Sequence, residues 1–537
     1  MKAIQDRIKS AFFLSALFLL SIHVVAQDNI LELLPGSDRF EHDENTGIGR
    51  LYGNVSFTYQ GNIMYCDSAY YFQKKNEVKA YGKVHVNKDN TLNLFCDSLY
   101  YSGRSKKAKL WGNVRVRDKE FKLTTDTLDY DAKKGQAFYH YGGRVENIVS
   151  HEVLTSEVGY FYPNSKNFYF SNHVVFNGND LSMTTDTLQY IYSTKIVNFH
   201  GETNISSKET RMYCESGWYN TETDEGELMQ NAWIQKEDNY ISGDTLIYKP
   251  KEKISIGKGN VVYMDTVQKV EMTGGYAYMN DSLNISFITE KAFAIKRLDD
   301  DTLYLHADTL FLEKIDSVDY IKAYHNAAIY SRKIQSRADS ITLNTTNNYI
   351  LLNNHPIVWS NSAELKGDTI IIYLNDSTIN HVDIIDHASI VMEVEKDNYY
   401  NQIAGRKIIA NFKNNEIYRA NVNGNAVTIF YPEEELKTDS TVTFSRKGMN
   451  RLYSSTLRID IDSSEITGVT YIEKPDGAFY PMNKIKADEK FVQGFVSKLY
   501  LRPQRKKDLL QQTLFLESIE TERKEAERVK KEMEEED

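Results

Sequence analysis

Acidic residues recur along this chain at a nearly constant spacing, and they have the clearest potential for chemistry. Seven of them follow one another at intervals of 29 to 31 residues: Asp67, Asp97, Asp126, Glu157, Asp186, Glu215 and Asp244. A column of carboxylates could bind calcium or act in acid–base catalysis. However, like charges on neighbouring strands repel, and Asp-Thr or Asp-Ser pairs are typical of turns in which the side chain accepts backbone N–H hydrogen bonds. Calcium-binding solenoids also carry short glycine-rich repeats. The pattern therefore favours a structural role at turns.

Three cysteines and twelve histidines are the other candidates for redox or metal chemistry. Cys66 and Cys96 occupy the same place in adjacent repeats, which would allow a disulfide in an oxidising compartment. Their inward phase favours buried free thiols instead. His381 and His387 form the only close histidine pair in the sequence, and we expect no metal site there. Phosphate-binding loops, nucleophile elbows and paired CxxC motifs are missing, so we predict neither an enzyme nor a cofactor.

The elements that must position these residues are strands, because the apolar residues around each acid alternate with a period of two. Leu92, Leu94 and Cys96 form such an inward set before an acid. After an acid the apolar phase slips by one residue, as at Leu128 and Tyr130. A slip of one residue sends side chains to the opposite face, so the chain must bulge or turn a corner at Asp-Thr and Asp-Ser.

The repeats predict an all-β fold, an elongated jellyroll- or solenoid-like stack of two facing sheets with about 30 residues per unit and a short C-terminal α-helix. If each unit advances the stack by one strand spacing, the step is ~4.8 Å. The composition agrees with a β protein, because 37 Tyr and 24 Phe accompany only 8 Pro.

The N-terminus predicts export. Lys2, Arg7 and Lys9 precede an apolar run over residues 11–25, and Ala26 fits the position before a signal-peptide cleavage site. The run is shorter than the ~20 residues of a membrane-spanning helix. Removal of residues 1–26 takes away three cations and one anion, Asp6, so the net charge changes from -11 to -13. A strongly acidic chain disfavours nucleic acid as a partner.

Repeat fidelity divides the chain into six segments. They are a signal peptide (1–26), a lead-in (27–44), well-preserved repeats (45–265), degenerate repeats (266–430), atypical terminal β units (431–502) and a charged helix (503–537). Leu509, Leu510, Leu514 and Ile519 give the helix a short apolar stripe. A solvated helix without a partner is the preferred interpretation, and docking on the last β layer or on another protein is the alternative.

One face of the predicted strands is apolar in every repeat, which fits either an ordinary packed core or a groove for acyl chains. Thr, Ala, Cys and Gly recur among the inward residues and would leave room for such chains. The candidate lining residues are Val55, Phe57, Met64, Val84, Val86, Leu94, Val114, Val116, Leu123, Val174, Phe176 and Met183. We expect Val116→Asp or Leu123→Asp to lower lipid capture while leaving folding measurable.

Repeats of the form YGNVxF, followed about a dozen residues later by CDSxxYY or TTDTLxY, resemble the OstA-like domain of lipopolysaccharide transport proteins. The resemblance covers residues 45–380 well and extends faintly to about 430. It implies a periplasmic, LptA-like jellyroll, peripherally associated with the cell envelope or outer membrane. Its apolar interior would accept the acyl chains of lipopolysaccharide or lipid A.

The same resemblance implies partners that join by edge-strand pairing: other OstA-like jellyroll proteins of the inner-membrane export complex and of the outer-membrane translocon. A second copy of this chain, joined end to end as a homo-oligomer, is a further partner that the sequence leaves open. The soluble bridge type fits better than the outer-membrane type, because about 100 residues follow position 430. A barrel of two dozen strands at ~10 residues each would need more. The alternative function is a structural or adhesive β-solenoid scaffold with a filled interior that binds proteins or glycans.

Overall fold

The structure, a computed structural model, describes residues 30–528 except for 89–91, 163–164, 166, 179–180, 192, 221, 224, 268, 281, 284, 299–300, 317, 376–377, 396–397, 415, 439–440, 463–464, 512–514, 522 and 525–527. The predicted signal peptide, with its cleavage site after Ala26, lies outside the described residues. The chain forms two compact units, unit 1 up to Lys258 and unit 2 from Gly259. None of the described helices is long and apolar enough to cross a membrane.

Unit 1 consists of antiparallel strands that follow one another along the chain. They are β1 (Glu32–Leu33), β2 (Arg39–Asp43), β3 (Ile48–Tyr59), β4 (Asn62–Phe72), β5 (Glu77–Lys88), β6 (Leu92–Ser102), β7 (Lys107–Arg117), β8 (Phe121–Asp131), β9 (Gln136–Tyr139), β10 (Gly143–Asn147), β11 (Val153–Ser156), β12 (Val158–Tyr162), β13 (Asn167–Asn177), β14 (Leu181–Ile191), β15 (Ile196–Ser207), β16 (Thr210–Asn220), β17 (Gly226–Lys236) and β18 (Asn239–Lys249), and β19 (Ile254–Asp265) contains the boundary. A short 3-10 helix, η1 (Gln73–Lys75), connects β4 to β5.

Unit 2 also consists of antiparallel strands and ends in helical turns. The strands are β20 (Val270–Asn280), β21 (Ile285–Thr289), β22 (Phe293–Arg297), β23 (Thr302–His306), β24 (Thr309–Ile315), β25 (Val318–Tyr330), β26 (Gln335–Asn344), β27 (Tyr349–Asn353), β28 (Ile357–Ser360), β29 (Ala363–Lys366), β30 (Thr369–Asn375), β31 (Thr378–Glu395), β32 (Tyr399–Lys413), β33 (Glu416–Phe430), β34 (Glu433–Thr438), β35 (Thr441–Arg446), β36 (Gly448–Asp462), β37 (Glu465–Ile472) and β38 (Asp476–Pro481). The turns are η2 (Met482–Lys484), η3 (Ala487–Glu489), η4 (Leu499–Leu501) and η5 (Lys506–Leu510), followed by an α-helix over residues 515–521.

Each repeat of unit 1 supplies two strands, not one. From β3 to β8 every strand pairs with the next, so that Val55 lies opposite Cys66 and Val84 lies opposite Cys96. The repeated acids Asp67 and Asp97 lie on β4 and β6, with β5 between them. The predicted advance of one strand spacing per repeat is therefore wrong, and a repeat advances by two spacings, ~9.6 Å.

A corner divides each long strand into two arms, as the slip in apolar phase predicts. On β5 and β7 the corner consists of two consecutive left-handed residues, Gly82 and Lys83 (φ 72° and 45°) and Gly112 and Asn113 (φ 77° and 49°). The strand register shifts at the same places. The Gly-Asn pair of the repeat motif thus has a conformational role, because Gly and Asn adopt the left-handed region most readily.

The two arms form facing layers around one apolar core. Arm I comprises residues 48–52, 68–72, 77–81, 98–102, 107–111 and 127–131, and arm II comprises residues 55–59, 62–66, 84–88, 92–96, 114–117 and 121–125. The ring of Phe57 on arm II lies 5.4 Å from that of Tyr71 on arm I. Residues of both arms belong to a single buried cluster. The predicted all-β fold with two facing sheets is confirmed.

Some of the repeated acids bind the side chain of the next corner. Asn113 Nδ2 donates to Asp97 Oδ2 at 2.7 Å, and Asn231 Nδ2 donates to Glu215 Oε1 at 2.6 Å. The structural role predicted for these acids is supported, but the partner is the side chain of the next corner, 16 residues away, rather than a local backbone N–H.

We expect Gly112→Ala to destabilise unit 1 because a Cβ atom there would lie 2.5 Å from Asp97 Oδ2 and 2.8 Å from Asp97 Cβ. Gly61 is the matched control: its φ of 78° equals that of Gly112 within a degree, and nothing lies within 4 Å of its would-be Cβ. Both variants have an alanine in the left-handed region, so the backbone strain cancels in the comparison. The clash with Asp97 remains, and thermal or urea unfolding should show Gly112→Ala to be less stable than Gly61→Ala by about 1–3 kcal/mol. Equal stabilities would contradict a tightly packed corner.

The described part of the C-terminal segment packs on the protein, which agrees with the docking alternative rather than with the solvated helix that we preferred. Residues 482–511 and 515–521, here called the C-terminal strap, pack on the outer face of unit 2. Phe515 is 1% exposed and, with Ile519, packs against Ile357 and Trp359. The predicted helix starts later than residue 503, and Leu514 of its apolar stripe lies outside the described residues.

Polar side chains on the outer face of unit 2 bind the backbone of the strap. Gln402 is completely buried, and its amide pairs with Lys490 O at 2.8 Å and Val492 N at 3.0 Å. The carboxylate of Glu364 accepts a hydrogen bond from Lys498 N at 3.0 Å. These polar residues are buried only because the strap covers them, and the strap satisfies their hydrogen bonds.

Candidate functional site

All twelve predicted lining residues face the interior of unit 1, but they differ in exposure. Ten are closed to solvent, between 0 and 7% exposed: Val55, Phe57, Met64, Val84, Val114, Val116, Leu123, Val174, Phe176 and Met183. Val86 and Leu94 are partly exposed and pack against the edge of the same core. The interior is therefore filled at these ten positions and partly accessible at Val86 and Leu94.

The partly exposed apolar residues of β3 to β8 that pack against this core are here called the rim set. Its members are Tyr59, Val86, Leu92 and Leu94 on arm II and Tyr71, Tyr101, Ala108 and Tyr130 on arm I. Our sequence analysis placed only Val86 and Leu94 in the lining. Extension of the period-two pattern to the strand ends, where Tyr130 follows Leu128, was the signal that could have found the others.

Four of the eight members of the rim set are tyrosines. The rings of Tyr59 and Tyr101 lie 5.1 Å apart and connect arm II to arm I. Burial raises the pKa of both Tyr101 and Tyr130 above the ordinary value for a phenol, so both side chains are neutral at physiological pH. A tyrosine offers an apolar ring and one polar atom, which suits the boundary between an apolar chain and a wet head group.

The predicted lead-in carries two strands that border an open cleft. β1 pairs with arm II of β3 and β2 pairs with arm I, so the two sheets begin on separate strands. Between them lies a cleft of about 550 Å³, whose wall includes Leu31, Phe40 and Tyr71. Leu31 belongs to the core and Tyr71 to the rim set, so the cleft borders both. Its volume lies within the range of ligand pockets, ~300–1,000 Å³.

The three cysteines are buried free thiols. Burial raises the pKa of Cys66 to about 11, that of Cys96 to about 12 and that of Cys214 to about 11. A direct bridge between Cys66 and Cys96, considered above, does not fit, because β5 lies between their strands. Two strand spacings separate their Cα atoms by ~9–10 Å, whereas a disulfide needs less than ~7 Å.

His381 and His387 have separate partners. The His381 ring stacks on Tyr373 at 4.3 Å between centroids, and His387 Nδ1 lies 3.0 Å from Asp368 Oδ2. Within the described part of the chain, no group of three or more His, Cys, Asp or Glu residues is arranged to hold a metal ion.

Comparisons with known proteins find transport families in both units. Residues 36–186 match the family described as OstA-like protein. Residues 297–378 match the family described as LptA/(LptD N-terminal domain) LPS transport protein. No curated protein matches the chain in sequence. Among solved structures, the chain is similar to LptH from Pseudomonas aeruginosa, described as the LptA homologous periplasmic component of the lipopolysaccharide transport device. The identity is 14%, the match covers 26% of this chain and 80% of that one, and the TM-score is 0.16.

Proposed function

Because this chain is an OstA-like protein of the lipopolysaccharide transport type over residues 36–186 and 297–378, we propose that it holds lipopolysaccharide acyl chains during outer-membrane assembly. The observation that carries the proposal is the rim set, a row of partly exposed apolar side chains between two facing layers. A soluble domain normally buries a row of apolar side chains, so the partial exposure of the rim set indicates a binding surface.

Acyl chains would bind by displacement of water from the rim set and from the cleft between β1 and β2. Each CH₂ group removed from water contributes ~0.8 kcal/mol, so contact with a few carbons per chain suffices for capture. The sugar and phosphate head groups stay outside, near the tyrosine hydroxyls. The filled part of the core, which includes Val55 and Phe57, supports the arms rather than contacting the lipid.

We further propose that the protein is a bridge component in the periplasm, at the envelope or outer membrane, and that it joins jellyroll partners edge to edge. An added strand needs only a sheet edge for its main-chain hydrogen bonds. The strands available for such pairing are β2 on unit 1 and β37 and β38 on unit 2. The partners would be the export complex, the outer-membrane translocon or a second copy. Upstream machinery would drive the movement of lipid.

The test is native mass spectrometry with lipid extraction on protein purified from its envelope. We expect lipopolysaccharide or lipid A to co-purify, and added lipopolysaccharide to bind to lipid-free protein. Protein that is purified without lipid and takes up none would contradict the proposal, and would favour the alternative of a filled β-solenoid scaffold.

Val116 and Leu123 are poor positions for a mutational test of lipid capture. They are 1% and 0% exposed, so an aspartate at either place would be a buried carboxylate without a partner. Such burial costs several kcal/mol and would unfold unit 1 together with any binding site. The informative positions are those of the rim set.

A further inference from the structure

The C-terminal strap presents five large apolar side chains to solvent: Leu516, which is 46% exposed, and four between residues 496 and 510. Val496, Leu499, Tyr500 and Leu510 are 52, 42, 60 and 52% exposed. They stand beside residues of the strap that face the protein, because Leu501 is 4% exposed and Leu509 is completely buried. The strap therefore has one side that packs on unit 2 and an opposite side that is apolar and uncovered.

The buried guanidinium of Arg337 binds the strap at Leu501 and again at Asp508 and Gln511, which brings these two parts of the strap together. Arg337 donates to Leu501 O at 3.0 Å, to Asp508 O at 3.0 Å and to Gln511 O at 3.1 Å. Tyr500 and Leu510 are the chain neighbours of Leu501 and Gln511, so they emerge from the same place on the fold. We call Leu499, Tyr500 and Leu510, with the exposed cations described next, the strap patch.

Three exposed cations lie between Tyr500 and Leu510 in the chain, and Asp301 lines the same hollow as Arg505 and Lys506. Arg505, Lys506 and Lys507 are consecutive and exposed. Asp508 is the one acid among residues 496–511, and its carboxylate already accepts from Arg505 at 3.3 Å. Lys506 Nζ lies 5.8 Å from the Tyr304 ring at the border of the patch. This concentration of cations stands out in a chain whose net charge is -11.

We propose that the strap patch docks on an anionic phospholipid surface. Exposed Leu and Tyr side chains next to Lys and Arg are the composition that lies in a membrane interface: the apolar groups enter the head-group region and the cations pair with lipid phosphates. The three hydrogen bonds from Arg337 order the patch before it binds, which lowers the entropy cost of membrane docking. The interaction is independent of lipopolysaccharide capture by unit 1 and would orient unit 2 against an envelope membrane.

The experiment is flotation of the full mature chain with phospholipid vesicles that contain no lipopolysaccharide. Vesicles of phosphatidylglycerol mixed with phosphatidylcholine should carry the protein, vesicles of phosphatidylcholine alone should carry much less, and added salt should release it because it screens the charges. Tyr500→Ser with Leu510→Ser, and separately Lys506→Glu with Lys507→Glu, should each lower the bound fraction about tenfold or more.

Matched controls lie on unit 1. Tyr141→Ser with Val149→Ser removes two side chains that are 80 and 74% exposed, and Lys133→Glu with Lys134→Glu makes the same charge change at another exposed lysine pair. Both controls should float like the wild type. The proposal is overturned if wild-type protein ignores anionic vesicles, if it binds neutral ones equally, or if both patch variants float like the wild type at an unchanged melting temperature. Self-association through the patch, seen as patch-dependent dimers in analytical ultracentrifugation without vesicle binding, would overturn it as well.

Discussion

Arg337→Ala is expected to release the C-terminal strap from unit 2. The side chain is 4% exposed, makes three hydrogen bonds to strap carbonyls and has its guanidinium 5.9 Å from the Phe515 ring. Burial lowers the pKa of Arg337 to about 10, so the group is still charged at neutral pH. Its removal leaves buried carbonyls without donors, which should weaken strap docking by about 3–5 kcal/mol. Hydrogen exchange and limited proteolysis should then show residues 482–521 open while the strands of unit 2 stay protected.

The control for this variant is Arg406→Ala. Arg406 is 81% exposed and pairs with Asp386 at 3.5 Å on the surface, where an ion pair contributes ~0–1 kcal/mol. Arg337→Lys is the second comparison: it keeps the charge but cannot reach three carbonyls, and should lose most of the same stability. If the strap is equally protected in Arg337→Ala and Arg406→Ala, the hydrogen bonds of Arg337 do not hold the strap on unit 2.

Leu94→Asp is expected to weaken lipopolysaccharide capture about tenfold or more without unfolding unit 1. Leu94 lies in the rim set between Val86 and Val116 on the neighbouring strands, and it is partly exposed, so a carboxylate there can stay hydrated. It would place a negative charge where acyl chains are proposed to lie and remove the apolar contact. Loss of a few CH₂ contacts at ~0.8 kcal/mol each predicts a decrease in affinity of about tenfold or more. Titration with lipopolysaccharide and photo-crosslinking at the rim measure it.

Phe95→Asp is the matched control. Phe95 is the next residue on the same strand and faces outwards, where it stacks on His85 at 4.5 Å and lies under Arg115. The substitution removes a large apolar side chain and adds the same charge on the opposite face. Capture should persist in this variant, and equal loss in both variants, with equal unfolding midpoints, would remove the rim set from the proposed site.

The pattern of residue types predicted the strands and corners because both depend on local chemistry. Alternation around Leu123 and the phase slip after Asp126 follow from side-chain direction within one strand. The role of the Gly-Asn pairs came from the structure, in which Gly112 and Asn113 both adopt positive φ. Gly and Asn enter that region more readily than other residues. All twelve candidate lining residues could be placed inside because the alternation fixes the side-chain direction along a strand.

The length of one repeat did not reveal how many strands it contains. A unit of about 30 residues suits one long strand with loops or two shorter strands, and only pairing between strands decides. The structure places β5 between Cys66 and Cys96. It thereby excludes the bridge that equal repeat positions had suggested and doubles the advance per repeat.

Sequence by itself determined that the chain is a β repeat with an apolar interior, corners at Asp-Thr and Asp-Ser, and the motifs of a lipopolysaccharide transport family. Those properties are set within a few residues or by repetition. Tertiary structure alone decided which interior residues are closed and which form the rim set, because exposure depends on the opposite arm. It also decided that the C-terminal strap docks on unit 2. Arg337 meets Leu501 across 164 residues of chain, and hydrogen bonds between such distant positions leave no periodic signal in either segment.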